Sequence, residues 1–495
     1  MTVMRSRLSD KVLPSISEAK VPAYDRSRIA LGIVHLGIGA FHRAHQAVYV
    51  DDCLAAGDTG WGIIGASLRS PATRDALEPQ NGLYTLAVRG QEQEQLRVIG
   101  SIVDLKVAPE APDGLLAELC NPLIRIVTLT VSEKAYLRNA AGDLDAAHPG
   151  VVADLAYPGR PQTIFGFLAE AITRRRAAGF APFTILCCDN LPSNGAVVSR
   201  LLQQFSVLKN PDLARYVEAE IACPSSMVDR IVPASTDEDR RRISAVLGFE
   251  DAWPVVTEPF RQWVIEDRFT AGRPGWEAHG VTMVGDVAPF EEMKLRLLNG
   301  AHSATAYLGL LLGRETVAQA FGDSRIRGFV QGLWAEAIPT LRSDVGLDPQ
   351  AYTAELAQRF DNPALMHRTA QIATDGSQKL PQRVVAAAVA QLQAGRPADY
   401  LALALAAWMA AAEARGRTLP AGHFTDPLDG RLDEIAKRGM TASDTVSAVF
   451  DLAGFAKDSI HRDKLKVLIA RHLDTIRKRS AEAALASPNA QEAIL

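Results

Sequence analysis

The sequence predicts an N-terminal α/β domain built on a parallel sheet, followed by a mostly α-helical C-terminal domain. The chain has 495 residues, which is more than one hydrophobic core usually holds. Short apolar runs alternate with helix-like segments in the first half. From about Pro289 onward strand signals nearly vanish, and Ala, Leu, Arg and Glu recur at helical spacing. We therefore predict domains at residues 1–286 and 287–495.

The strands predicted in the first half are short and apolar on both faces, which is typical of a parallel sheet covered by helices. They are Ile29–Leu36, Trp61–Leu68, Leu123–Val131, Phe183–Asp189 and Val281–Val284. The helices predicted between them include Phe41–Leu54 and Pro161–Ala178.

The second half is predicted to be helical throughout. The expected helices are Phe290–Leu312, Ala351–Gln358, Gln382–Ala394, Asp399–Ala414, Ser443–Ala453 and about Lys457–Ala484. The apolar stretch Tyr400–Ala412 is too short to cross a bilayer, so it is interpreted as a buried helix.

Charge and cysteine content narrow the class of partner. The 53 basic and 57 acidic side chains give a net charge of −4 without a basic stripe, which argues against nucleic acid. The five cysteines have no zinc-type spacing, and the first residues lack the apolar run of a secretory signal. We expect a cytoplasmic protein that acts on a small molecule, with reduced thiols and no membrane contact.

Two glycines lie where the first predicted strand meets the first predicted helix. Gly37 permits a tight turn, and Gly39 lets the backbone approach a pyrophosphate at the helix N-terminus. A third glycine would be expected at position 42, where this chain has His42. In its strand–helix setting, the pattern favours a Rossmann-type dinucleotide site over an ordinary turn.

The sequence leaves the choice between NAD and NADP open. The second predicted strand ends without the acid that normally holds the adenosine ribose, and Arg69 could instead face a 2′-phosphate. His42 and His45 are three residues apart, which could suit a metal. No carboxylate or thiolate partner is evident, so we expect no metal.

A polar triplet lies on the otherwise apolar helix that opens the second domain. On an α-helix, Lys294, Asn299 and His302 fall within an arc of roughly 140°. Lysine can take a hydroxyl proton if burial lowers its pKa, and amides such as Asn299 and Asn190 can hold a developing alkoxide. Spacing alone leaves open the alternative of a surface lysine with incidental polar neighbours.

Six motifs carry a resemblance to the long-chain polyol-specific dehydrogenases, the mannitol dehydrogenase family. They lie at His35–Gln46, Thr130–Lys134, Cys188–Gly195, Met227–Pro233, Glu258–Asp267 and Lys294–His302. The resemblance implies a Rossmann-type first domain, a helical second domain and an active site between them. It also implies a monomer with NAD as cofactor, NADP being the alternative, and no catalytic metal.

The resemblance also implies roles for individual residues. Lys294 would be the general acid/base, Asn190 and Asn299 would polarise the reacting oxygen, and His302 would contact substrate. Glu291 would pass protons between the lysine and solvent. The cofactor would be held by Leu36, Gly37, Ile38, Gly39, Ala40, Phe41, Arg69, Val131 and Asn190.

Substrates within the family divide mainly between neutral polyols and sugar acids. The run Asp375–Arg383 resembles the branch that reduces fructuronate to mannonate, and mannitol enzymes tend to carry arginine at the position of Gln371. We therefore favour a sugar acid. A polyol such as mannitol, arabinitol or sorbitol is the alternative, and a catalytically silent nucleotide sensor is a third. The substrate candidates, beside Lys294 and His302, are Asn194, Asp229, Arg368, Lys379 and Arg383.

Overall fold

The protein forms two compact units, Met1–Ala288 and Pro289–Leu495. The computed structural model describes residues 6–139, 141–342, 346–415, 419 and 424–486. The strands all belong to the first unit and are β1 Leu31–Leu36, β2 Gly62–Ser67, β3 Tyr84–Arg89, β4 Glu94–Ile99, β5 Ile102–Val107, β6 Ile126–Leu129, β7 Thr184–Cys187, β8 Ser226–Asp229, β9 Val255–Thr257, β10 Gln262–Glu266 and β11 Thr282–Val284.

The central sheet of the first unit has five parallel strands in the order β5-β2-β1-β6-β7. Two three-stranded sheets accompany it. One has the order β11-β10-β8, and the other has the order β4-β3-β9. Each mixes one parallel pair with one antiparallel pair. Because the strands of the central sheet are parallel, their carboxyl ends meet at one edge, which is where this type of sheet binds ligands.

The helices of the first unit cover both faces of the central sheet, and the strands β2, β6 and β7 are buried along their whole length. The helices are α1 Ala40–Ala44, α2 Gln46–Ala55, α3 Ala72–Leu77, α4 Pro112–Cys120, α5 Pro149–Ala156, α6 Ile164–Ala177, α7 Asn194–Lys209, α8 Pro211–Glu220 and α9 Asp237–Leu247.

The helix predicted over Phe41–Leu54 is interrupted at His45, which has φ −125° and ψ −87° between α1 and α2. Tertiary partners take up the backbone carbonyls freed by the break. The Tyr84 hydroxyl donates to the Arg43 carbonyl at 2.5 Å, and Arg230 donates to the Ala44 carbonyl. These donors come from distant parts of the chain, so the local sequence pattern could not reveal the break.

The second unit is helical, and two stretches of it are π-helical. The helices are α10 Ala288–Met293, α11 Gly300–Leu311, α12 Val317–Gly322, α13 Ser324–Ala337, α14 Pro349–Phe360, α15 Thr369–Ala373, α16 Gly376–Leu380, α17 Ala386–Gln393, α18 Asp399–Ala414, α19 Asp429–Lys437, α20 Ala442–Ala453, α21 Arg462–Lys478 and α22 Ala481–Ala486. The first π segment is Lys294–Asn299, and the second π segment is Pro381–Val385.

The centre of the second unit is α18, whose residues Leu401–Ala412 are all buried. Seven of these twelve residues are alanines, which lets neighbouring helices pack closely against α18 on all sides. Helices α11, α13 and α21 pack around it. The helix predicted at Asp399–Ala414 is therefore present with the bounds expected, as the core of its unit.

Candidate active site

The residues predicted to hold the cofactor follow the carboxyl ends of the central strands. The segment Leu36–Phe41 lies at the end of β1, Arg69 follows β2, Val131 follows β6 and Asn190 follows β7. The strands are parallel, so all four segments lie at one edge of the sheet. The first unit thus brings these predicted residues to the same edge, although their cofactor contacts stay a prediction.

Gly37 makes the tight turn that the sequence predicts. Its φ is +100°, and a Cβ atom there would lie only 2.0 Å from the carbonyl oxygen of Thr130, at the end of β6. Both the backbone angle and the close approach require glycine. The turn is therefore built into the sheet edge, whether or not a ligand is bound.

Gly39 is different, because nothing in the protein crowds it. A Cβ atom there would meet only the Gly37 carbonyl oxygen, at 3.8 Å, and the residue is exposed at the start of α1. The absence of a side chain leaves open space directly beside the first backbone N–H groups of that helix. This space suits a pyrophosphate, so the residues present fit a dinucleotide.

His42 takes over the packing role of the missing third glycine. Its ring stacks on the ring of His35 in β1, with centroids 3.4 Å apart and an interplanar angle of 11°. His35 is held in turn by the hydroxyls of Thr128 and Thr130, at 2.7 and 2.8 Å. A stacked pair of rings therefore joins the helix to the strand where a glycine would allow bare backbone contact. Burial lowers the pKa of both imidazoles, so they stay neutral.

Asp189 ties the ends of β6 and β7 together directly before Asn190. Its carboxylate accepts hydrogen bonds from the Val131 amide, at 3.1 Å, and from the Tyr136 hydroxyl. Burial raises the pKa of Asp189 to about 6, although these hydrogen bonds favour its charged form. The loop that carries Asn190 is thereby fixed to the loop that carries Val131.

The side-chain amide of Asn194 hydrogen-bonds to backbone groups. Its amide nitrogen donates to the carbonyls of Asp189, at 3.0 Å, and Ser226, at 2.8 Å. Its amide oxygen accepts from the Ser226 amide at 2.9 Å, and the residue is fully buried. These contacts do not support the substrate contact expected for Asn194; they make it a positioning residue for the loop at Asn190. Asp229, another predicted substrate residue, is buried as the last residue of β8.

The predicted lysine helix departs from α geometry at the residues of interest. Lys294 is the first residue of the first π segment and Asn299 is the last, and the Gly300 amide donates to the Leu295 carbonyl five residues back. In such a turn residues i and i+5 follow one above the other, whereas an α-helix would set them roughly 140° apart. The π geometry thus brings Lys294 and Asn299 onto one face. Lys294 is buried, with 7% of its surface exposed.

His302 follows the π segment within α11 and is buried. Its ring stacks on Phe360 at 5.0 Å, and its Nε2 atom has no hydrogen-bond partner among the residues that the structure describes. Burial lowers the pKa of His302 well below its ordinary value, and the positive charges of Arg359 and Arg383 lower it further. A neutral imidazole with an unsatisfied buried nitrogen can bind a substrate hydroxyl.

The three predicted carboxylate binders have different settings in the second unit. Arg383 lies in the second π segment and donates to the Ser303 hydroxyl at 3.0 Å, next to His302. Lys379 donates to the Thr374 carbonyl at 2.7 Å. Arg368 is exposed directly before α15. Arg383 is therefore the one for which the contacts within this unit indicate nearness to His302.

Two residues of this cluster, Arg359 and His367, were not predicted from the sequence. Arg359 in α14 is a buried arginine, and its charge acts on His302. The ring of His367 lies edge-on to that of His302 at 4.8 Å, and burial lowers its pKa to about 4. Arg359 directly follows the predicted helix Ala351–Gln358. Extending that helix by one residue would have placed Arg359 on its inward face, so the sequence did contain a sign that Arg359 is buried.

Metal ligands are not grouped in the part of the chain that the structure describes: no cluster of three or more His, Cys, Asp or Glu side chains is suited to an ion there. His45, one of the two histidines considered for a metal, instead hydrogen-bonds through Nε2 to the Gln262 carbonyl at 2.8 Å. No helix in the described residues is long and apolar enough to cross a membrane.

The parallel sheet, its glycine turn and the lysine-bearing helix define an oxidoreductase of the dinucleotide-dependent class. Residues 31–278 match the mannitol dehydrogenase Rossmann domain, and residues 286–477 match the mannitol dehydrogenase C-terminal domain. The chain belongs to the mannitol dehydrogenase family. The resemblance inferred from the motifs is confirmed, as is the fold class.

Relatives of both substrate branches are similar to this chain. D-mannonate oxidoreductase of Escherichia coli (strain K12) is 41% identical over 445 residues, which cover 89% of this chain and 91% of that protein. Mannitol 2-dehydrogenase of Pyrenophora tritici-repentis (strain Pt-1C-BFP) is 39% identical over 467 residues, covering 92% and 81%. Pseudomonas fluorescens mannitol 2-dehydrogenase, solved with NAD and D-mannitol, is 36% identical with a TM-score of 0.87, covering 97% and 99%.

Proposed function

We propose that this enzyme interconverts the keto-sugar acid fructuronate and its reduced form mannonate, with NAD as the cofactor. The observation that carries the sugar-acid assignment is the positive charge around His302. The guanidinium charges of Arg359 and Arg383 both act on this imidazole, and Arg383 is hydrogen-bonded to the neighbouring Ser303. A carboxylate needs charge-assisted donors of this kind, whereas a neutral polyol does not.

Lys294 is the proton-transfer group in this proposal. When bound, the cofactor would supply a hydride acceptor for oxidation and a hydride donor for reduction. The Lys294 amine takes the proton from the substrate hydroxyl during oxidation and gives it back during reduction. Burial of Lys294 keeps bulk water away from this exchange, and Glu291, one helical turn earlier, passes the proton to solvent.

Two amides and one imidazole hold the substrate oxygen atoms. The side chains of Asn190 and Asn299 donate to the reacting oxygen, where negative charge develops as its proton leaves. The π geometry supports a joint action of Asn299 and Lys294, since both then lie on one helix face. The free Nε2 of His302 binds a neighbouring hydroxyl.

A polyol dehydrogenase is the second candidate, and a specific observation favours it. The solved relative with NAD and D-mannitol matches 97% of this chain. The lysine helix gives no information about the end of the substrate that lies away from the reacting carbon. The residues around Lys294 serve either reaction, so only the groups that meet the distal substrate end separate the two candidates.

The test is a two-by-two assay of the purified enzyme with fructuronate or fructose, each with NADH or NADPH. We expect a kcat/KM for fructuronate at least tenfold above that for fructose, and a preference for NADH. A kcat/KM for fructose far above that for fructuronate would overturn the sugar-acid assignment in favour of the polyol enzyme. A preference for NADPH would instead assign Arg69, exposed after β2, to a 2′-phosphate.

A further inference from the structure

We infer that Trp334 is a positioning residue, which holds the first π segment in the register that aligns Lys294 with Asn299. The inference rests on the proposed roles of those two residues. An α-helix is the default for this sequence, and π turns occur mostly as isolated features at functional sites. Something outside the helix must therefore stabilise the wider turn, and three contacts in the second unit do so.

The first contact is a hydrogen bond into the middle of the segment. The indole Nε1 of Trp334, in α13, donates to the Leu297 carbonyl at 2.9 Å, and the bond is buried. In an α-helix that carbonyl would accept the amide four residues on. A buried hydrogen bond from outside the helix to a carbonyl inside the wide turn ties this turn to α13, and so stabilises the register in which the bond can form.

The second contact is made by Arg296, the residue before Leu297 in the same turn. The Arg296 guanidinium donates to the Thr340 carbonyl at 2.5 Å and to its hydroxyl at 2.8 Å. It also pairs with Glu292, one turn earlier, at 2.6 Å. Trp334 and Arg296 thus fix two neighbouring residues of the segment to the α13 region.

The third contact is the close approach of the two π segments. A Cβ atom on Gly300 would lie 2.9 Å from the Arg383 carbonyl oxygen, in the second π segment. That segment has the same wide pattern, since the Ala386 amide donates to the Pro381 carbonyl five residues back. Gly300 therefore lets the backbone that carries Lys294 pack directly on the backbone that carries Arg383.

The experiment removes the indole donor and keeps the ring. Trp334→Phe should lower kcat by about tenfold or more, because a catalytic group misplaced by about 1 Å can cost far more than that. The Kd for NADH, measured by calorimetry, should stay within about twofold. The pH profile of kcat/KM should also shift, since the surroundings of the amine change. Trp276→Phe is the matched control, because Trp276 is fully buried and its indole nitrogen has no partner among the described residues.

A double-mutant cycle with Lys294→Ala separates positioning from general damage. Lys294→Ala alone should lower kcat by about 10² to 10⁴. Adding Trp334→Phe should then cost less than about threefold, because no amine remains to be positioned. An undiminished tenfold loss in the Lys294→Ala background would overturn the inference. Near-normal turnover of Lys294→Ala alone would contradict the proposed function instead.

Gly300→Ala tests the register without touching Trp334. Alanine in a helix normally stabilises relative to glycine, yet here kcat should fall about tenfold because the two π segments are forced apart. Gly328→Ala, in α13, is the control, since nothing lies within 4 Å of its Cβ position. If Gly300→Ala and Trp334→Phe both keep kcat within about twofold of the wild type, the register does not matter for catalysis and the inference fails.

Discussion

At the scale of single residues, Arg383 is the side chain that should separate an acid substrate from a neutral one. Arg383→Met removes the guanidinium and keeps much of the aliphatic length. We expect kcat/KM for fructuronate to fall by about 10- to 100-fold, the value of one charge-assisted hydrogen bond. The kcat/KM for fructose should change less than about threefold, as measured by initial rates.

The control for Arg383→Met is Arg325→Met, which removes the same charge from the surface of the second unit. Arg325 is exposed and forms an ion pair with Asp323 at 2.6 Å, so its loss should leave both rates unchanged. Equal losses with both substrates in Arg383→Met would contradict carboxylate recognition, and would point to a general role of Arg383 at Ser303.

Spacing singled out Gly37 and Gly39 at a turn that the structure contains. It also singled out Lys294 and His302 on a helix where both are buried, and their roles stay predictions. Asn194 carried a familiar motif but its contacts are with backbone, which only tertiary structure reveals. Arg359 escaped notice because a lone arginine near a helix end normally lies in solvent.

At the scale of elements, the turn between β1 and α1 should tolerate no side chain at Gly37. Gly37→Ala combines an unfavourable φ of +100° with a Cβ only 2.0 Å from the Thr130 carbonyl oxygen. The turn must move, so the Kd for NADH should rise at least tenfold, measured by calorimetry.

Gly57→Ala provides a closely matched comparison. Gly57 has φ +99°, nearly that of Gly37, but nothing lies within 4 Å of its Cβ position. This variant should lose roughly 1–2 kcal/mol of stability from backbone strain alone and keep its affinity for NADH. If both variants bind NADH equally well, the close contact at Thr130 has no part in shaping the cofactor turn.

Elements with a strong periodic pattern were predicted closely, and interrupted elements were not. The buried helix Asp399–Ala414 has the bounds expected, whereas Phe41–Leu54 and Phe290–Leu312 each contain a break. Both breaks are stabilised by distant donors, Tyr84 in one and Trp334 in the other. Hydrophobic periodicity reports which face is buried, but it is insensitive to such long-range hydrogen bonds.

At the scale of the whole molecule, buried histidines should make stability fall as the solution becomes acidic. Burial lowers the pKa of six histidines among the described residues, to about 3 for two of them and about 4 for two others; they are His35, His42, His45, His302, His367 and His472. Below about pH 6.5 these imidazoles bind protons in the unfolded chain but not in the native state, and this difference favours unfolding.

Among the described residues, four carboxyls act in the opposite sense, because burial raises their pKa and the native state binds their protons first. They are Asp154, Asp189, Asp251 and Glu336. Six imidazoles still outnumber four carboxyls, so stability should fall by on the order of 2 kcal/mol per pH unit between about pH 6 and 5. The check is the urea midpoint at pH 7.5 and 5.5, at equal ionic strength. A midpoint that is unchanged or higher at pH 5.5 would contradict this balance.

The overall architecture followed from the sequence because its two halves differ so clearly in pattern. Strands such as β1, β2, β6 and β7 are continuous apolar runs, and each lies within a predicted segment. The two small sheets were mostly missed, with only β11 predicted. Some of their strands, such as β4, carry charged residues. Two of their pairings, β3 with β9 and β8 with β10, join strands that are far apart in the chain. The local composition of a strand predicts burial of both its faces far better than it predicts pairing with a strand that is remote in the sequence.

The wide turn between Lys294 and Asn299 also bears on how distant relatives are compared. The backbone hydrogen bonds of this turn join residues five apart. In an ordinary α-helix they join residues four apart, and residues i and i+4 share a face. An enzyme with one residue fewer between its lysine and its asparagine could therefore present the same pair to its substrate. An alignment that insists on an interval of five would score that enzyme as lacking the asparagine, although its chemistry would be intact.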